Sequence, residues 1–298
     1  MEKKIHGFKA WLIATRPWSF PASSMPVVAT LAYLHWTGES INWLIGLWTL
    51  ATIIVFHAAG NTWSDYFDFK KGVDREDTVG GTSITSGEFQ ACEIKKLATW
   101  LLLVAVASGL GLAYCTGLPT LYFGLAGCAL TLLYPMLKFN ALGDLDIFLT
   151  YSVLPILGTS YVATGSIVEK ALWLVIPIGL ITVGILHINN SRDMEQDKRA
   201  GIHTFAMLVG KRASAMIYCL EVLVPFVWVI ACVILGTMPV WSLLVLIALK
   251  PAIDNAKKAV AFPKGGMEAV TGVDEATAKL QLMFSLLLAL SLFISSWV

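Results

Sequence analysis

Long apolar stretches alternate with short polar connections along the whole chain. Each apolar stretch holds about 20 residues, the length that an α-helix needs to cross the hydrocarbon core of a bilayer. The pattern predicts an all-α fold, a polytopic membrane bundle of about nine transmembrane helices, with residues 1–298 in a single transmembrane domain. The predicted spans are 11–37, 42–67, 93–116, 119–137, 144–165, 171–192, 213–236, 239–260 and 276–298.

The composition agrees with this pattern. Of the 298 residues, 57% are hydrophobic and 14% are charged, and the mean hydropathy is +0.72. An ordinary soluble domain carries about a quarter charged residues, so that class is excluded. The polar start and the long apolar stretch after it argue against a cleavable signal peptide. The five cysteines lack metal-binding spacing and are expected to be small packing residues.

The basic residues fall almost entirely on one side of the predicted topology. With the N-terminus inside, all of the 21 Lys and Arg residues except Lys170 lie in inner loops or inner halves of spans. Positive charge marks the cytoplasmic side, so we expect a cytoplasmic N-terminus. The longest polar stretches, 68–92, 193–212 and 261–275, lie on the same side, where we expect the active site.

Two acidic motifs of similar design lie at the inner ends of the second and sixth spans. They consist of Asn61, Asp65 and Asp68, and of Asn189, Asn190, Asp193 and Asp197. In each motif an amide precedes, by about one turn, an Asp pair at helical spacing, so these groups share one helix face. Carboxylates at membrane depth cost about 2.5–3.5 kcal/mol each on insertion scales and usually mark function. The alternative is that they end the helices and pair with nearby basic residues.

The residue types favour a magnesium site. Mg²⁺ prefers oxygen ligands and is commonly held by one or two carboxylates together with substrate phosphates. Facing carboxylate pairs would place Mg²⁺ around a diphosphate and neutralise charge on the leaving group. The predicted metal ligands are Asp65, Asp68, Asp193, Asp197 and Asn61. Predicted phosphate contacts are Lys138, Arg192, Lys198 and Arg199, and for Lys198 and Arg199 a solvated inner-face role is the alternative.

These motifs resemble those of the UbiA-type intramembrane polyprenyltransferases, which carry Asn-Asp-x-x-Asp on helix two and Asp-x-x-x-Asp on helix six of a nine-helix bundle. The resemblance covers nearly the whole chain, with further similar stretches at 15–22, 80–87, 134–138 and 142–144. Residues 65–74, 158–165 and 189–201 are most similar to the 1,4-dihydroxy-2-naphthoate branch of menaquinone synthesis. Ser64 departs from the family's Asn, so Asn61 or Ser64 would take over that contact.

The resemblance implies transfer of a polyprenyl chain from its diphosphate to 1,4-dihydroxy-2-naphthoate with decarboxylation, in a bacterial inner membrane. Asp65, Asp68, Asp193 and Asp197 would be catalytic through Mg²⁺, and no nucleic acid is involved. The implied substrate-binding residues are Arg16, Asn61, Ser64, Tyr134, Lys138, Asn189, Asn190, Arg192 and Lys198. For Arg16 and Tyr134 the alternative is a role as an anchor at the membrane interface. Alternatives are another acceptor (4-hydroxybenzoate, homogentisate, haem or a chlorophyllide) or a transporter. Motifs at helix ends rather than at the bilayer midplane argue against a transporter.

Overall fold

A computed structural model describes residues 6–74 and 82–297, and these residues are helical almost throughout. The α-helices are α1 (Phe8–Ala14), α2 (Pro21–Trp36), α3 (Trp43–Lys71), α4 (Ala91–Thr116), α5 (Leu118–Phe139), α6 (Gly143–Phe148), α7 (Leu154–Thr164), α8 (Val175–Arg192), α9 (Met194–Arg199), α10 (Phe205–Ile234), α11 (Leu249–Val270) and α12 (Val273–Ser295). The described residues form no strand, so the all-α prediction is confirmed. The 80–87 stretch lies partly outside them.

Seven helical stretches of the described chain are long and apolar enough to cross a membrane, as expected for a multi-pass membrane protein. They are Trp43–Lys71, Ala91–Thr116, Leu118–Phe139, Gly143–Thr164, Glu169–Arg192, Phe205–Ile234 and Val273–Ser295. The other two predicted spans are also largely helical, but α2 has only 16 residues and α11 carries exposed lysines. The count of nine and the side of the N-terminus therefore stay predictions.

The first predicted span is not one helix, which corrects the sequence interpretation. Helix α1 ends at Ala14, Arg16 adopts a left-handed conformation (φ 55°, ψ 59°), and a 3₁₀ turn at Pro17–Ser19 leads into α2. Proline disfavours the right-handed helical conformation for the residue before it, so Pro17 forces the break. A non-glycine residue in this conformation is strained, and such residues concentrate at functional sites.

The fifth predicted span contains a π-helical turn at Leu149–Val153, between α6 and α7. The N–H of Leu154 donates to the carbonyl of Leu149. Pro155 follows at once and has no N–H to donate to the carbonyl of Tyr151, so the regular pattern is interrupted here. The ring of Tyr151 lies 4.8 Å from the ring of His57 on α3, centroid to centroid. π-turns of this kind frequently accompany functional sites.

One group of helices packs into a continuous hydrophobic core, and another group surrounds a cavity. Buried side chains of α2, α8, α10, α11 and α12, such as Ile178, Val222 and Phe284, make the continuous core. Helices α3, α4, α5 and α7 instead surround an apolar cavity of about 250 Å³. Helices α4 and α5 also expose large apolar residues such as Trp100 and Tyr122, as expected for surfaces in contact with lipid.

Gly179 of α8 marks a close approach between α8 and the π-turn. A Cβ added there would lie 2.6 Å from Cε2 of Phe148 and 2.9 Å from Oγ of Ser152. We expect Gly179→Ala to lower the free energy of unfolding by about 1–3 kcal/mol through overpacking. Thermal unfolding in detergent measures the change. Gly109→Ala on α4, where the added carbon meets open space, is the control, and equal shifts in both variants would contradict the packing described.

Candidate active site

The first acidic motif occupies the last turns of α3. The helix ends because Gly72 adopts a left-handed conformation (φ 76°), and the N–H of Val73 donates to the carbonyl of Asp68. The side chains of Asp65 and Asp68 are 5% and 8% exposed, while Lys70 and Lys71 lie on the exposed side. The helix end therefore turns its carboxylates into the protein.

A cation from another element holds each of these carboxylates. The guanidinium of Arg16 forms an ion pair with Asp65. The Nζ of Lys138, at the end of α5, lies 3.2 Å from Oδ2 of Asp68, and the hydroxyl of Ser64 donates to the same oxygen at 3.2 Å. The other oxygen of Asp68, Oδ1, is buried and has no hydrogen-bond partner among the described residues. That oxygen is available to a metal ion.

Asn61 and Ser64 have different partners, which bears on the departure from the family motif. The Nδ2 of Asn61 donates to the carbonyl of Thr15 and to Oγ of Ser19, both at 2.9 Å. Asn61 therefore fastens α3 to the corner that carries Arg16, and its predicted contact with the metal stays a prediction. Ser64 orients Asp68 instead. The two side chains thus share the positioning of the first motif.

His57, one turn before Asn61, belongs to the same corner. Its ring nitrogens lie 2.8 Å from Oγ of Ser23 and 3.2 Å from Oγ of Ser19. The residue is 7% exposed and also lines the apolar cavity. His57 therefore joins α2 to α3 beside the cavity.

The second motif does not lie on one uninterrupted helix. Helix α8 ends at Arg192, Asp193 leaves the helical conformation (φ −92°, ψ 7°), and α9 begins at Met194. The N–H of Asp197 still donates to the carbonyl of Asp193 at 2.9 Å, which keeps the two residues one turn apart. The break lets the short α9 carry Asp197 beyond the end of α8.

Arg192 holds the carboxylate of Asp193 with a fork of two hydrogen bonds. Nε donates to Oδ1 at 2.7 Å and Nη2 donates to Oδ2 at 2.8 Å. The remaining donors reach Oδ2 of Asp274 at 2.6 Å and Oδ1 of Asn189 at 2.5 Å. In this structure Arg192 and Asn189 thus position a carboxylate, and their predicted contact with substrate stays a prediction. Asp274, at the start of α12, was not singled out by the sequence.

The remaining residues of the second motif differ in burial. Asp197 is 3% exposed, and burial raises the pKa of its carboxyl to about 7, with Lys138 opposing and Asp193 adding to the shift. Its Oδ2 has no hydrogen-bond partner among the described residues. Asn190 is buried, whereas Lys198 is exposed, so a phosphate contact of Lys198 stays a prediction.

The two motifs face one pocket around Lys138. Lys138 pairs with Asp68, and the electrostatic environment of Asp197 includes Lys138 and Asp68. Tyr134 precedes Lys138 by one turn of α5 and interacts electrostatically with Lys138 and Asp68. Asp74 joins the pocket because the chain reverses at the end of α3; burial raises the pKa of its carboxyl, and the charge of Asp68 adds to this.

Among the described residues, the pocket carries more negative than positive groups. The carboxylates are those of Asp65, Asp68, Asp74, Asp193 and Asp197, and the cations are Arg16, Lys138 and Arg192. Two buried carboxylate oxygens, Oδ1 of Asp68 and Oδ2 of Asp197, lack partners among the described residues. Hard divalent cations such as Mg²⁺ take such oxygens as ligands, so the residues present fit the predicted metal.

A family sequence model, curated relatives and solved structures all match this chain, and matches of each kind carry the same family name. The sequence model of the UbiA prenyltransferase family matches residues 24–258. UbiA prenyltransferase domain-containing protein 1 of Xenopus tropicalis is 33% identical over 72% of the chain, and the match spans 64% of that relative, less than two thirds of its length.

Solved structures share the fold. A UbiA homologue from Aeropyrum pernix K1 superposes with a TM-score of 0.65 at 16% identity, covering 93% of this chain and 96% of that one. A UbiA homologue from Archaeoglobus fulgidus bound to GPP and Mg²⁺ gives a TM-score of 0.59 at 13% identity, covering 94% and 99%.

Asp274 accepts a hydrogen bond from Arg192 and thereby helps to orient the side chain that holds both carboxylate oxygens of Asp193. Loss of a partner that orients a metal ligand typically weakens metal binding about 10- to 100-fold. We therefore expect Asp274→Asn to weaken Mg²⁺ binding by about tenfold or more, measured by calorimetry on the purified chain with an isoprenyl diphosphate analogue. Asp254→Asn, which breaks an exposed pair with Lys250 on α11, is the control. Equal Mg²⁺ affinities in the two variants would refute the role of Asp274.

Proposed function

The chain belongs to the UbiA prenyltransferase family, and we propose that it transfers a polyprenyl chain from its diphosphate to a small aromatic acceptor with the help of Mg²⁺. The observation that carries the proposal is the shared pocket of the two acidic motifs beside an apolar cavity, with carboxylate oxygens that lack a hydrogen-bond partner in the described residues. The homologue from Archaeoglobus fulgidus bound to GPP and Mg²⁺ supports it.

The cavity suits an isoprenyl chain. Its lining is mostly apolar and comes mainly from α3, α4, α5 and α7, with Ser23 of α2 and Tyr151 of the π-helical turn. His57 and Gly60 of α3 line it, and Asn61, Ser64 and Asp65 follow along the same helix. A Cβ added at Gly60 would lie 3.2 Å from Cγ2 of Thr131, which also lines the cavity. Glycine at this position therefore avoids crowding between α3 and α5 at the cavity wall. A chain lying in the cavity would place its diphosphate at the acidic motifs.

The basic residues of the pocket suit the diphosphate. Arg16 pairs with Asp65, and Lys138 pairs with Asp68. Mg²⁺, when bound by Asp65, Asp68, Asp193 and Asp197, would supply charge neutralisation for the leaving group. With the carboxylates so occupied, the side chains of Arg16 and Lys138 are free to turn to phosphate oxygens. Charge-assisted contacts of this kind are strong, and arginine offers a bidentate one.

The chemical step follows from this arrangement. The bond between C1 of the isoprenyl chain and the diphosphate oxygen breaks, and an electron-rich ring carbon of the acceptor bonds to C1. The ring then loses a proton or, for a naphthoate, its carboxyl group as CO₂. The apolar lining keeps water away from the developing allylic cation. Tyr151 lines the cavity, and Tyr134 interacts electrostatically with Lys138 and Asp68, so both rings would lie near such a cation and could stabilise it.

We propose 1,4-dihydroxy-2-naphthoate as the acceptor. The support is the resemblance of residues 65–74, 158–165 and 189–201 to the naphthoate branch. The name of the Xenopus tropicalis relative states no acceptor, so the other aromatic acceptors remain the alternatives. The exposed Lys70, Lys71, Lys198 and Arg199 near the pocket support a pocket that opens to the cytoplasm, because positive charge marks that side of a membrane protein.

The metal assignment predicts a sharp mutational difference within the second motif. Asp193→Asn removes a ligand charge, and we expect turnover to fall by about 100-fold or more. Asp65→Asn should behave in the same way. Glu195→Gln is the matched control, because Glu195 is 74% exposed two residues from Asp193. Initial rates of diphosphate release at saturating Mg²⁺ measure the effect, and wild-type rates in the Asp variants would overturn the assignment.

The acceptor is tested by product identification. Membranes containing the protein are supplied with geranylgeranyl diphosphate, Mg²⁺ and each aromatic acceptor in turn, and products are identified by mass spectrometry. We expect a prenylated, decarboxylated naphthalenediol from 1,4-dihydroxy-2-naphthoate. Prenylation of 4-hydroxybenzoate or homogentisate alone would replace the acceptor but keep the chemistry. Absence of any prenylated product with correctly inserted protein would defeat the proposal.

A further inference from the structure

A second cluster of titratable side chains lies in the helix bundle, apart from the acidic motifs. It joins Asp144 at the start of α6, His187 of α8 and Glu221 of α10. Nδ1 of His187 lies 2.6 Å from Oδ2 of Asp144 and 3.6 Å from Oε1 of Glu221. The side chains are 0% exposed for His187, 7% for Glu221 and 12% for Asp144. The function proposed above uses none of these residues.

A chain of hydroxyls fixes which ring nitrogen of His187 carries hydrogen. The hydroxyl of Ser191 donates to the carbonyl of His187 at 2.8 Å. The 2.5 Å contact between Ser191 and Ser214 must then use the hydrogen of Ser214. Ser214 can therefore only accept from Nε2 of His187, 2.9 Å away. Nε2 carries the hydrogen, and Nδ1 is the nitrogen turned to the two carboxylates.

This arrangement requires positive charge beside Nδ1. A lone pair facing two carboxylates in a buried site is repulsive unless a cation stands between them. A proton on Nδ1 would satisfy Asp144 only. A second proton on Glu221 would neutralise that carboxylate, but its O–H would have no acceptor. Neither Oε2 of Glu221 nor Oδ1 of Asp144 has a hydrogen-bond partner among the described residues, so the two groups do not bond to each other through these oxygens. One divalent ion neutralises both carboxylates and uses the nitrogen lone pair.

We propose that Asp144, His187 and Glu221 form a second metal site that takes a divalent transition-metal ion, with Zn²⁺ as the best fit. An imidazole nitrogen with two carboxylates is a ligand set for Zn²⁺, whereas Mg²⁺ favours oxygen ligands alone. Ser214 supplies the outer contact that metal-bound histidines make through their other nitrogen.

The ligand spacing shows which side chain must adjust. Two ligands of one tetrahedral zinc ion lie about 3.3 Å apart, given metal–ligand bonds of about 2.0–2.1 Å. His187 and Asp144 are closer than this, so the carboxylate of Asp144 draws back when the ion enters. Asp144 is the most exposed of the three and is free to do so.

The ion would join three helices near the catalytic pocket. Helix α6 follows directly on the turn after Lys138, and Gly143 packs against the Cα of Lys138. Helix α8 leads from His187 to Asp193 in about one and a half turns. A metal held by α6, α8 and α10 therefore fixes the turn that carries Lys138 against the second acidic motif, which makes its role structural.

The test is metal retention by the purified full chain. The protein in detergent is loaded with Zn²⁺, dialysed, and its metal measured by mass spectrometry. We expect about one Zn²⁺ per chain in the wild type and in Asp193→Asn, and loss of that ion in Glu221→Gln. Ser214→Ala should weaken binding about tenfold or more. Chelation should lower the melting temperature of the wild type but not that of Glu221→Gln.

Two results would overturn the site. One is equal Zn²⁺ retention by the wild type and Glu221→Gln, which would leave protons as the cations of the cluster. The other is loss of the ion in Asp193→Asn, which would place it at the acidic motifs. If Glu221→Gln does not fold, Co²⁺ bound to the wild type decides: an intense four-coordinate visible spectrum supports the site, and a weak six-coordinate one refutes it. Neither failure would touch the proposed prenyl transfer.

Discussion

Excess negative charge, buried at the ends of α3 and α8, is the constraint on which the rest of the structure depends. Carboxylates at that depth are costly unless cations lie beside them. Arg16, Lys138 and Arg192 supply part of the compensating positive charge. Arg16 comes from the corner before α2, Lys138 from the end of α5 and Arg192 from the end of α8. Within the described part of the chain, Oδ1 of Asp68 and Oδ2 of Asp197 have no hydrogen-bond partner, so their negative charge is only partly neutralised there. The pocket is thus built to gain stability from a further cation.

Several charged groups, both basic and acidic, reach the pocket because regular helices are interrupted next to it. Pro17 ends α1 and places Arg16 in a left-handed conformation, and Asp193 itself breaks α8. Gly72 ends α3 and turns Asp74 back toward Asp68. A straight helix presents one face to one neighbour, so these breaks are what allow several elements to converge. The dense core of α2, α8, α10 and α12 holds them in place.

Periodicity predicted the helices well, because membrane spans must satisfy their own backbone and be uniformly apolar. The acidic pairs could be recognised because helical spacing puts them on one face. The break at Arg16 was missed although Pro17 signals it, since membrane helices often tolerate proline. The contacts of Asp274 with Arg192 and of Glu221 with His187 join residues far apart in the sequence. A local pattern cannot give such pairings, because they depend on helix packing.

The proposed reaction needs strong charge and dryness side by side, and the bundle separates these needs between its helices. The apolar cavity is enclosed by α3, α4, α5 and α7, whereas the second motif is mounted on the densely packed half of the bundle. Helix α3 belongs to both regions, because His57 and Gly60 line the cavity and Asp65 and Asp68 enter the pocket. One helix would therefore align both the isoprenyl chain of the substrate and its diphosphate. Any tilt of α3 would move the cavity wall and the acidic motif together.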